Sequence, residues 1–418
     1  MNDHYFKSWL KKSVSLLIIL TACAVVVRAQ QEPSLPFVVN GIVKDASNGR
    51  PLKSVNISIP GTHISTVTNE EGTFSIKAPE RPKRLRFSHI GYQTTLRNVP
   101  ENAKSMTVKI IPNTVVLNDV IVMMDDPEKI VKIAINKIPD NYSLSAEQDR
   151  CFYRETAQKR KKFIYIAEAV TDMYKTGYNR DINADRVAIH RGRRIVSPKL
   201  SDTLSVKVIG GPVQATILDV VKNRPFLLCD EELYFYNMKM EQPVRIDDRP
   251  QYVISISPRY RTDYALYYGQ LFIDKETLSF TRISLQLDMS NIDNATRAML
   301  VRKPVGVKFR PKELSLLVNY TYDEGVSRLS YLSTVFRFNC DWKKHLFATS
   351  FTAINEMVVT DRHLSGFTPI RRKDSFSERE SLYDQQTNFS DDNFWKDYNI
   401  IEPTETLEKA INRIIKAK

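Results

Sequence analysis

Two runs of acidic residues are the first places in the sequence where acid–base chemistry could occur. Asp230-Glu231-Glu232 and Asp247-Asp248 each supply adjacent carboxyl groups. A glycosidase needs two carboxyl groups that face one cleft, whereas adjacent residues of a strand point to opposite faces of a sheet. We therefore expect that these acids do not form a catalytic pair.

The histidines and the oxygen-bearing residues lack the spacing of metal ligands. A zinc carboxypeptidase needs an HxxE pair and a distant histidine, because two imidazoles and one carboxylate leave one coordination position open. None of the histidines beyond residue 29 is followed by glutamate at the third position; they are His63, His89, His190, His345 and His363. Asp288, Asn291 and Asp293 lack the EF-hand spacing and its glycine. We predict no metal site.

Motifs for nucleophiles and phosphate groups are missing from the sequence as well. It contains no GxSxG and no Walker loop, and it has only 13 glycines in 418 residues, less than half of the usual share. We therefore predict no catalytic and no cofactor-binding residue. We expect a non-enzymatic protein, with a hydrolase of unfamiliar class as the remote alternative.

Residues 1–29 resemble a secretory leader. Three lysines precede an apolar run over residues 13–27, which is shorter than the ~20 residues that a membrane-spanning helix needs. Residues of small and medium size before Gln30 predict cleavage after Ala29. Removing the leader takes away four basic residues and one acidic residue, so the net charge falls from +13 to +10.

A second interpretation applies to the same leader. Leu20-Thr21-Ala22-Cys23 resembles a bacterial lipobox, whose cysteine would be lipidated. The following residues 24–27 stay apolar instead of forming a polar tether. We therefore favour cleavage after Ala29 and keep lipidation at Cys23 as the alternative.

The mature chain has three cysteines, Cys151, Cys229 and Cys340, without CxxC spacing. Because the number is odd, at most one disulfide can form within the chain. We expect three small buried hydrophobic side chains.

Basic clusters give the chain its positive charge. They are Arg81 to Arg86, Lys159 to Lys162, Arg191 to Arg194 and Arg371 to Lys373. An exported protein without a nucleic-acid-binding motif has no expected nucleic-acid partner. Anionic lipid, a cell-wall polymer or an envelope protein is the partner that this charge favours.

The elements that position these residues begin with a predicted β-sandwich over residues 37–124. Residues 55–59 alternate apolar and polar positions, and turn signals recur every eight to twelve residues. Gly41-x-Val43-x-Asp45, Gly49-x-Pro51, Gly72-x-Phe74-x-Ile76 and Gly91-Tyr92 stand at spaced positions along this stretch.

These motifs resemble the carboxypeptidase-regulatory-like domain. That family implies a transthyretin-like β-sandwich without peptidase activity of its own. The resemblance also implies an exported protein, because the domain is common as an N-terminal extension on exported proteins and TonB-dependent receptors of Bacteroidetes. The 294 residues after Met124 are too few for the 22-stranded barrel of such a receptor.

Residues 125–149 predict a linker helix. Asp126-Pro127-Glu128 supplies a capping acid, a proline at the first helical position and an acid in the first turn. Apolar residues recur at helical spacing up to Ile138, and Pro139 is expected to end the helix.

Residues 150–373 predict a larger curved antiparallel β-sheet. Long aromatic-rich strands are expected, for example over 252–256, 264–273 and 314–322. Tyr268 to Thr277, followed by Arg282-Ile283, resembles a strand–turn–strand of periplasmic lipoprotein-carrier half-barrels.

The chain ends with two segments of different composition. Residues 374–403 are acidic and are predicted to be irregular. Residues 404–418 predict a C-terminal amphipathic helix, either docked on the protein or exposed to a membrane surface or partner.

The sequence thus predicts a mainly β, exported protein, periplasmic or associated with the outer membrane. Our first hypothesis is a binding or scaffold module of the cell envelope, at the periplasmic side of the outer membrane. The alternative is a lipid or lipoprotein carrier or sensor that uses a half-barrel cavity. The patterns leave the ligand, the partner and the oligomeric state open.

Overall fold

The structure is a computed structural model that describes residues 36–101, 105–113, 126–199, 206–208, 210–342, 348–377, 382 and 397–416. The predicted leader over residues 1–29, including Cys23, and most of the acidic segment over 374–403 lie outside the described residues. The mainly β fold that the sequence predicts is confirmed, with two β-domains, helices between them and a helix at the C-terminal end.

The N-terminal domain is a β-sandwich of two sheets, with strand orders β4-β1-β7 and β3-β2-β5-β6. Its strands are β1 Phe37–Asp45, β2 Asn56–Ser58, β3 Ser65–Val67, β4 Thr73–Ala78, β5 Arg84–Ser88, β6 Thr95–Asn98 and β7 Ser105–Ile110. Alternate residues of these strands, such as Val39, Ile57 and Phe87, form a buried core between the sheets.

Two glycines of the sandwich are required by close backbone approach. A Cβ at Gly41 would lie 2.4 Å from the carbonyl oxygen of Met106. Gly72 has a φ of +72°, and a Cβ there would lie 2.6 Å from the carbonyl oxygen of Val43. At these two positions of the sequence motif, glycine is therefore required by the backbone geometry of the sandwich.

The linker contains two helices, α1 Pro127–Asn136 and α2 Ile138–Asn141. Asp126 caps α1 by accepting hydrogen bonds from the backbone N–H groups of Glu128 and Lys129. The prediction that Pro139 ends the helix is corrected here, because Pro139 lies in the first turn of α2. A proline is tolerated in a first turn, where its missing N–H would have no partner within the helix.

The C-terminal domain contains an eleven-stranded sheet with the order β10-β9-β8-β20-β19-β18-β16-β15-β14-β12, and β13 also pairs with β14. All of these pairs are antiparallel. A two-stranded sheet, β11-β17, lies beside it in the described part of the domain. The large sheet is curved and is not closed into a barrel.

The strands of this domain are β8 Glu147–Lys159, β9 Lys162–Lys175, β10 Arg186–Val196, β11 Lys207–Val208, β12 Tyr236–Met240, β13 Val244–Ile246, β14 Arg249–Pro258, β15 Tyr267–Asp274, β16 Phe280–Leu287, β17 Leu300–Arg302, β18 Val307–Asp323, β19 Val326–Trp342 and β20 Thr349–His363. Its helices are α3 Gln214–Ile217, α4 Asp230–Leu233, α5 Ile292–Met299 and, at the end of the chain, α6 Glu405–Lys416.

The inner face of the large sheet is covered by the chain itself. Helix α1 and residues 210–235, which we call the cover segment, bury apolar side chains in the same cluster as inward-facing strand residues. Ile130 of α1, Val221 of the cover segment and Leu316 of β18 are examples. The inward positions are aromatic and aliphatic, but the cavity expected for a half-barrel is filled by α1 and the cover segment.

The outer face of the same sheet carries the sandwich, with the end of the chain between the two domains. We call residues 398–403 the strap. Asn399 forms two hydrogen bonds with the backbone of Lys77, at 2.7 Å to its N–H and 3.0 Å to its carbonyl. Ile401 is buried in the same cluster as Phe152 and Val170 of the large sheet. The strap therefore joins the two domains.

Helix α6 is docked on the protein. Its apolar stripe of Leu407, Ala410, Ile411 and Ile414 is buried in one cluster with Ile166 and Ile195 of β9 and β10. The apolar face that the sequence predicts is thus already covered, which favours docking over the membrane-surface interpretation. Among the described helices, none combines the length and apolar composition that crossing a bilayer requires.

We predict that Asn399→Ala lowers the free energy of unfolding by about 2 kcal/mol, because it leaves the N–H and carbonyl of Lys77 without these partners. Urea unfolding followed by circular dichroism measures the change. Asn98→Ala, at an exposed position of β6, is the matched control and should change stability by less than about 0.5 kcal/mol. Equal effects of the two variants would contradict the role of the strap.

Candidate functional site

A cleft opens at the β12 end of the large sheet, where the cover segment, the β14–β15 loop and α5 meet. It has two compartments, of about 550 Å³ and about 420 Å³. Tyr264, Ala265 and Asn294 line both compartments, so the two adjoin along these residues. We call the whole feature the aromatic cleft.

The smaller compartment is mainly apolar. Phe226 of the cover segment, Tyr236 of β12 and Tyr267 of β15 line it, together with Ala298 of α5. The rings of Phe226 and Tyr267 are 5.4 Å apart, and Tyr236 accepts a hydrogen bond from the backbone N–H of Tyr267 at 3.2 Å. Tyr236 also belongs to the buried core on the inner face of the large sheet, so this compartment adjoins that core.

The larger compartment is polar and rich in tyrosine. Tyr260, Tyr264 and Tyr268 line it and have 41% to 48% of their surface exposed. Tyr234, which is 60% exposed, stacks on Tyr260 with ring centroids 5.4 Å apart. Large aromatic side chains that cluster on a surface mark a site of binding more often than a site of structure.

Charged groups of both signs surround the tyrosines. Arg259 pairs with Glu128 of α1 at 3.0 Å, and Asp288 accepts a hydrogen bond from the hydroxyl of Ser290 at 2.8 Å. Arg261 is exposed and has neither an ion pair nor a hydrogen bond within the described part of the chain. It is the cation of this compartment that is available to a ligand.

The phenol groups of Tyr264 and Tyr267 remain protonated at neutral pH. Burial and the neighbouring carboxylate of Glu232 raise the pKa of Tyr264 to about 12, and the hydroxyl of Tyr264 lies 3.1 Å from both oxygens of Glu232. Burial raises the pKa of Tyr267 to about 12 as well. The cleft therefore offers hydrogen-bond donors and ring faces, and no phenolate nucleophile.

Buried polar contacts hold the cover segment that forms one wall of the cleft. Asp219 pairs with Lys175 of β9 at 2.5 Å and accepts hydrogen bonds from the hydroxyls of Tyr178 at 2.9 Å and Tyr320 at 2.8 Å. Both members of the ion pair are almost fully buried. Burial lowers the pKa of Lys175, but the carboxylates of Asp219, Asp149 and Glu147 together more than offset this, so the pKa is raised.

Two further contacts anchor the same segment. Lys222 pairs with Asp185 at 2.7 Å, with both side chains fully buried. At the start of the segment, the N–H of Gly211 donates to the hydroxyl of Tyr153 on β8 at 3.0 Å. The segment is therefore fastened at several points along its length, through groups that are costly to leave unpaired.

The acidic runs of the sequence do not meet as a catalytic pair in this cleft. Asp230, Glu231 and Glu232 form most of helix α4, and Glu232 is the member that lines the cleft. Asp247 and Asp248 form a turn with positive φ and contact the sandwich, Asp247 through Arg86 and Asp248 through the backbone of Thr94. The strand geometry assumed from the sequence was therefore wrong for both runs.

The oxygen-bearing residues and the histidines form no metal centre in the described residues, where no group of three His, Cys, Asp or Glu side chains could hold an ion. Asn291 caps helix α5 through the N–H groups of Asp293 and Asn294. His190 is hydrogen-bonded to Tyr398 of the strap at 2.8 Å. His345 lies outside the described residues.

The cysteines are free thiols in the described structure. Cys151 and Cys340 are buried, as the sequence predicts, while Cys229 is partly exposed at the start of α4. Burial raises the pKa of Cys340 to about 12, so this thiol is not reactive at neutral pH.

Members of two basic clusters are neutralised by acids. Arg193 pairs with the buried Glu168 at 2.6 Å, and Arg371 pairs with Asp374 at 2.6 Å. These clusters therefore contribute to fold and surface structure, and the cation available at the cleft is Arg261.

The aromatic cleft was not predicted from the sequence. Residues 264–273 were expected to form a single strand, whereas β15 begins at Tyr267 and the preceding residues form the wall of the cleft. The available signal was Arg259-Tyr260-Arg261, because arginine and tyrosine together between two strands are typical of binding surfaces.

Comparison with known families identifies the N-terminal domain. Residues 39–122 match the family model of the CarboxypepD_reg-like domain, which confirms the resemblance seen in the sequence. The match covers the sandwich and does not reach the C-terminal domain. No curated protein matches the chain.

Solved structures with similarity to this chain include MucB, a DUF1329 family protein and a putative outer membrane lipoprotein-sorting protein domain. MucB is 15% identical, with 56% of this chain and 97% of MucB covered and a TM-score of 0.19. A DUF1329 family protein from Desulfovibrio piger is 12% identical, with 56% and 94% covered and a TM-score of 0.25. A putative outer membrane lipoprotein-sorting protein domain from Vibrio parahaemolyticus is 11% identical, with 60% and 97% covered and a TM-score of 0.25. At TM-scores this low, the similarity supports no conclusion about this chain.

We predict that Asp219→Asn lowers the free energy of unfolding by about 3 kcal/mol or more, because the buried ammonium of Lys175 loses its partner. The double variant Asp219→Asn with Lys175→Met removes both charges and should be more stable than the single variant. Urea unfolding measures all three proteins, and Asp263→Asn, at an exposed acid, is the control. A double variant as unstable as the single one would show that the ion pair is not the cause.

Proposed function

We propose that this protein is an exported, non-enzymatic cell-envelope protein that binds an amphiphilic molecule, such as a lipid or the lipid part of a lipoprotein, in the aromatic cleft. The observation that carries the proposal is that an apolar compartment and a polar compartment adjoin and share three lining residues. A molecule with an apolar chain and a polar head matches both halves at once.

The apolar compartment favours a hydrocarbon chain. Its aromatic walls, Phe226, Tyr236 and Tyr267, lead into the inner-face core. A chain bound there would exchange water for carbon contacts, which stabilises binding by about 0.8 kcal/mol for each buried methylene group.

The polar compartment favours a head group that is anionic or rich in hydroxyl groups. Arg261 offers an available positive charge, and the hydroxyls and ring faces of Tyr260 and Tyr268 offer donors and stacking surfaces. The net charge of +10 that remains after removal of the predicted leader favours approach to an anionic membrane surface.

The ligand position proposed here differs from that in the half-barrel carrier expected from the sequence, where the ligand would lie in a cavity on the inner face. The inner face is filled by α1 and the cover segment, so a ligand would first occupy the edge of the core. Deeper entry would require the cover segment to leave Lys175 and Tyr320. A short hydrocarbon chain would therefore bind without rearrangement of the protein. Binding of a longer hydrocarbon chain would require the cover segment to move.

A second candidate function is the binding or scaffold module, with an envelope protein as partner. The observation that favours it is the stacked, exposed pair Tyr234 and Tyr260 beside Arg259 and Arg261. Tyrosine and arginine are the residues most enriched in protein-binding hot spots. Both functions place the binding surface at the same cleft, on the periplasmic side of the outer membrane in our proposal.

The first test measures the affinity of the purified mature chain for lysophosphatidylglycerol below its critical micelle concentration, by isothermal titration calorimetry. We predict that Ala298→Phe, which fills the apolar compartment, weakens binding at least tenfold. Ala46→Phe makes the same change at an exposed alanine of the sandwich and should leave affinity unchanged. Equal affinities for all three proteins would contradict the proposal.

Two further measurements separate the two candidate functions. Arg261→Ala should weaken binding of the anionic lysolipid about two- to fivefold and leave a zwitterionic lysolipid unaffected, because an exposed ion pair contributes about 0.5 to 1 kcal/mol. Native mass spectrometry of protein from envelope extracts should show added lipid mass. A bare protein mass, together with a protein partner that Tyr234→Ala releases, would favour the scaffold function.

A further inference from the structure

We propose that Arg282 forms a binding site for a small inorganic anion, of the size of chloride or phosphate, at the interface between the sandwich and the outer face of the large sheet. This site is separate from the aromatic cleft and does not depend on the function proposed for it.

Arg282 lies on β16, next to Asn319 of β18 and Phe272 of β15 in the sheet register. A cavity of about 50 Å³ adjoins it. The sandwich contributes Ser54, Asn56 and His89 to the lining, and the large sheet contributes Arg282, Asn319 and Ser330. Both domains therefore enclose the same small polar space.

Four other partly or fully buried arginines of this protein each have a carboxylate partner. Arg86 pairs with Asp247 at 2.9 Å, Arg154 with Glu168 at 2.6 Å, Arg249 with Asp274 at 2.8 Å and Arg328 with Glu147 at 3.0 Å. Arg282 differs from these four arginines, because no carboxylate pairs with it among the described residues.

Arg282 has no ion pair and no hydrogen bond within the described residues. Its Nε is buried without a partner, and its contact with the ring of Phe272 is at 5.9 Å. Burial lowers the pKa of Arg282, which reflects the cost of removing the guanidinium from water. An arginine stays charged at neutral pH, so a negative partner inside the cavity would recover part of that cost.

The other described groups that line the cavity do not supply a negative partner for Arg282, so a bound anion could supply it. Asp247 also lines the cavity, but its carboxylate already pairs with Arg86. The hydroxyl of Tyr331 donates to Glu356 at 2.9 Å. Burial and the charge of Arg282 lower the pKa of His89 to about 4, so this imidazole is neutral at neutral pH and adds no second positive charge to the cavity.

Asn319 provides a second recognition element. Its Oδ1 is buried and has no hydrogen-bond partner. The two ends of an amide side chain exchange by a half turn, which would present the NH₂ group to an anion. A guanidinium and an amide beside a space of about 50 Å³ suit a halide or a small oxyanion, and this volume excludes a nucleotide or a lipid head group.

The site would link anion binding to the docking of the two domains, because each domain supplies part of its lining. A ligand that binds the docked form and not the separated form stabilises the docked form by mass action. We therefore expect saturable, anion-specific stabilisation of the whole protein.

Thermal unfolding of the full mature chain tests the site, in sodium chloride, sodium phosphate or sodium gluconate at equal ionic strength. Wild type should unfold about 3 °C higher in saturating chloride or phosphate than in gluconate, whose anion is too large for the cavity. Arg282→Met should lose this difference. Arg302→Met, at an exposed arginine of β17, should keep it and corrects for general salt effects.

Nuclear magnetic resonance of His89 gives an independent readout. An anion beside Arg282 would offset its positive charge, so the pKa of His89 should rise when chloride or phosphate replaces gluconate. Arg282→Lys keeps a charge in the cavity and should retain a smaller shift. The same unfolding temperatures in all anions, or an equal anion dependence in Arg282→Met and wild type, would overturn the proposal.

Discussion

The contact between Asp219 and its three partners is the interaction on which the inner face of the large sheet depends. A curved sheet with apolar residues on its concave side must cover that side to keep it from water. Here the cover is a loop-rich segment, held through the carboxylate of Asp219 to Lys175, Tyr178 and Tyr320. Since the ion pair is buried, the segment cannot leave without exposing or unpairing charge.

This constraint also decides where a ligand can bind. Because the cover segment fills the middle of the inner face, the accessible apolar surface is restricted to the β12 end, where the segment meets α5. The tyrosines of the β14–β15 loop extend that surface outward with polar character. The aromatic cleft is thus the part of the concave face that the protein does not fill itself.

The outer face of the large sheet is covered by the sandwich and the strap, whereas its inner face is covered by α1 and the cover segment. The strap pairs with the edge of β4 through Asn399 and buries Ile401 on the large sheet, so the sandwich is held as part of one body. Residues 39–122 match the CarboxypepD_reg-like domain, and the sequence motifs behind that resemblance are turn glycines and core positions. A fold alone does not define a function. Two sites that could bind a ligand are the aromatic cleft within the C-terminal domain and the polar cavity beside Arg282 between the domains.

The sequence by itself determined the elements whose cause is local. Alternating residues and turn glycines predict the sandwich, Asp126 predicts the start of α1, and the apolar stripe of residues 407–414 predicts α6. Each of these signals depends on neighbours within a few positions, because strand alternation, capping and helical spacing are properties of short segments.

Only the tertiary structure decided what those elements enclose. Asp219 meets Lys175 across 44 positions and Tyr320 across 101, and the strap meets Lys77 across 322. A residue pattern reports that a side chain prefers burial or water, but it does not report which distant partner provides that environment. The cover segment, the aromatic cleft and the unpaired Arg282 all arise from such distant pairings, which is why they were visible only in the folded chain.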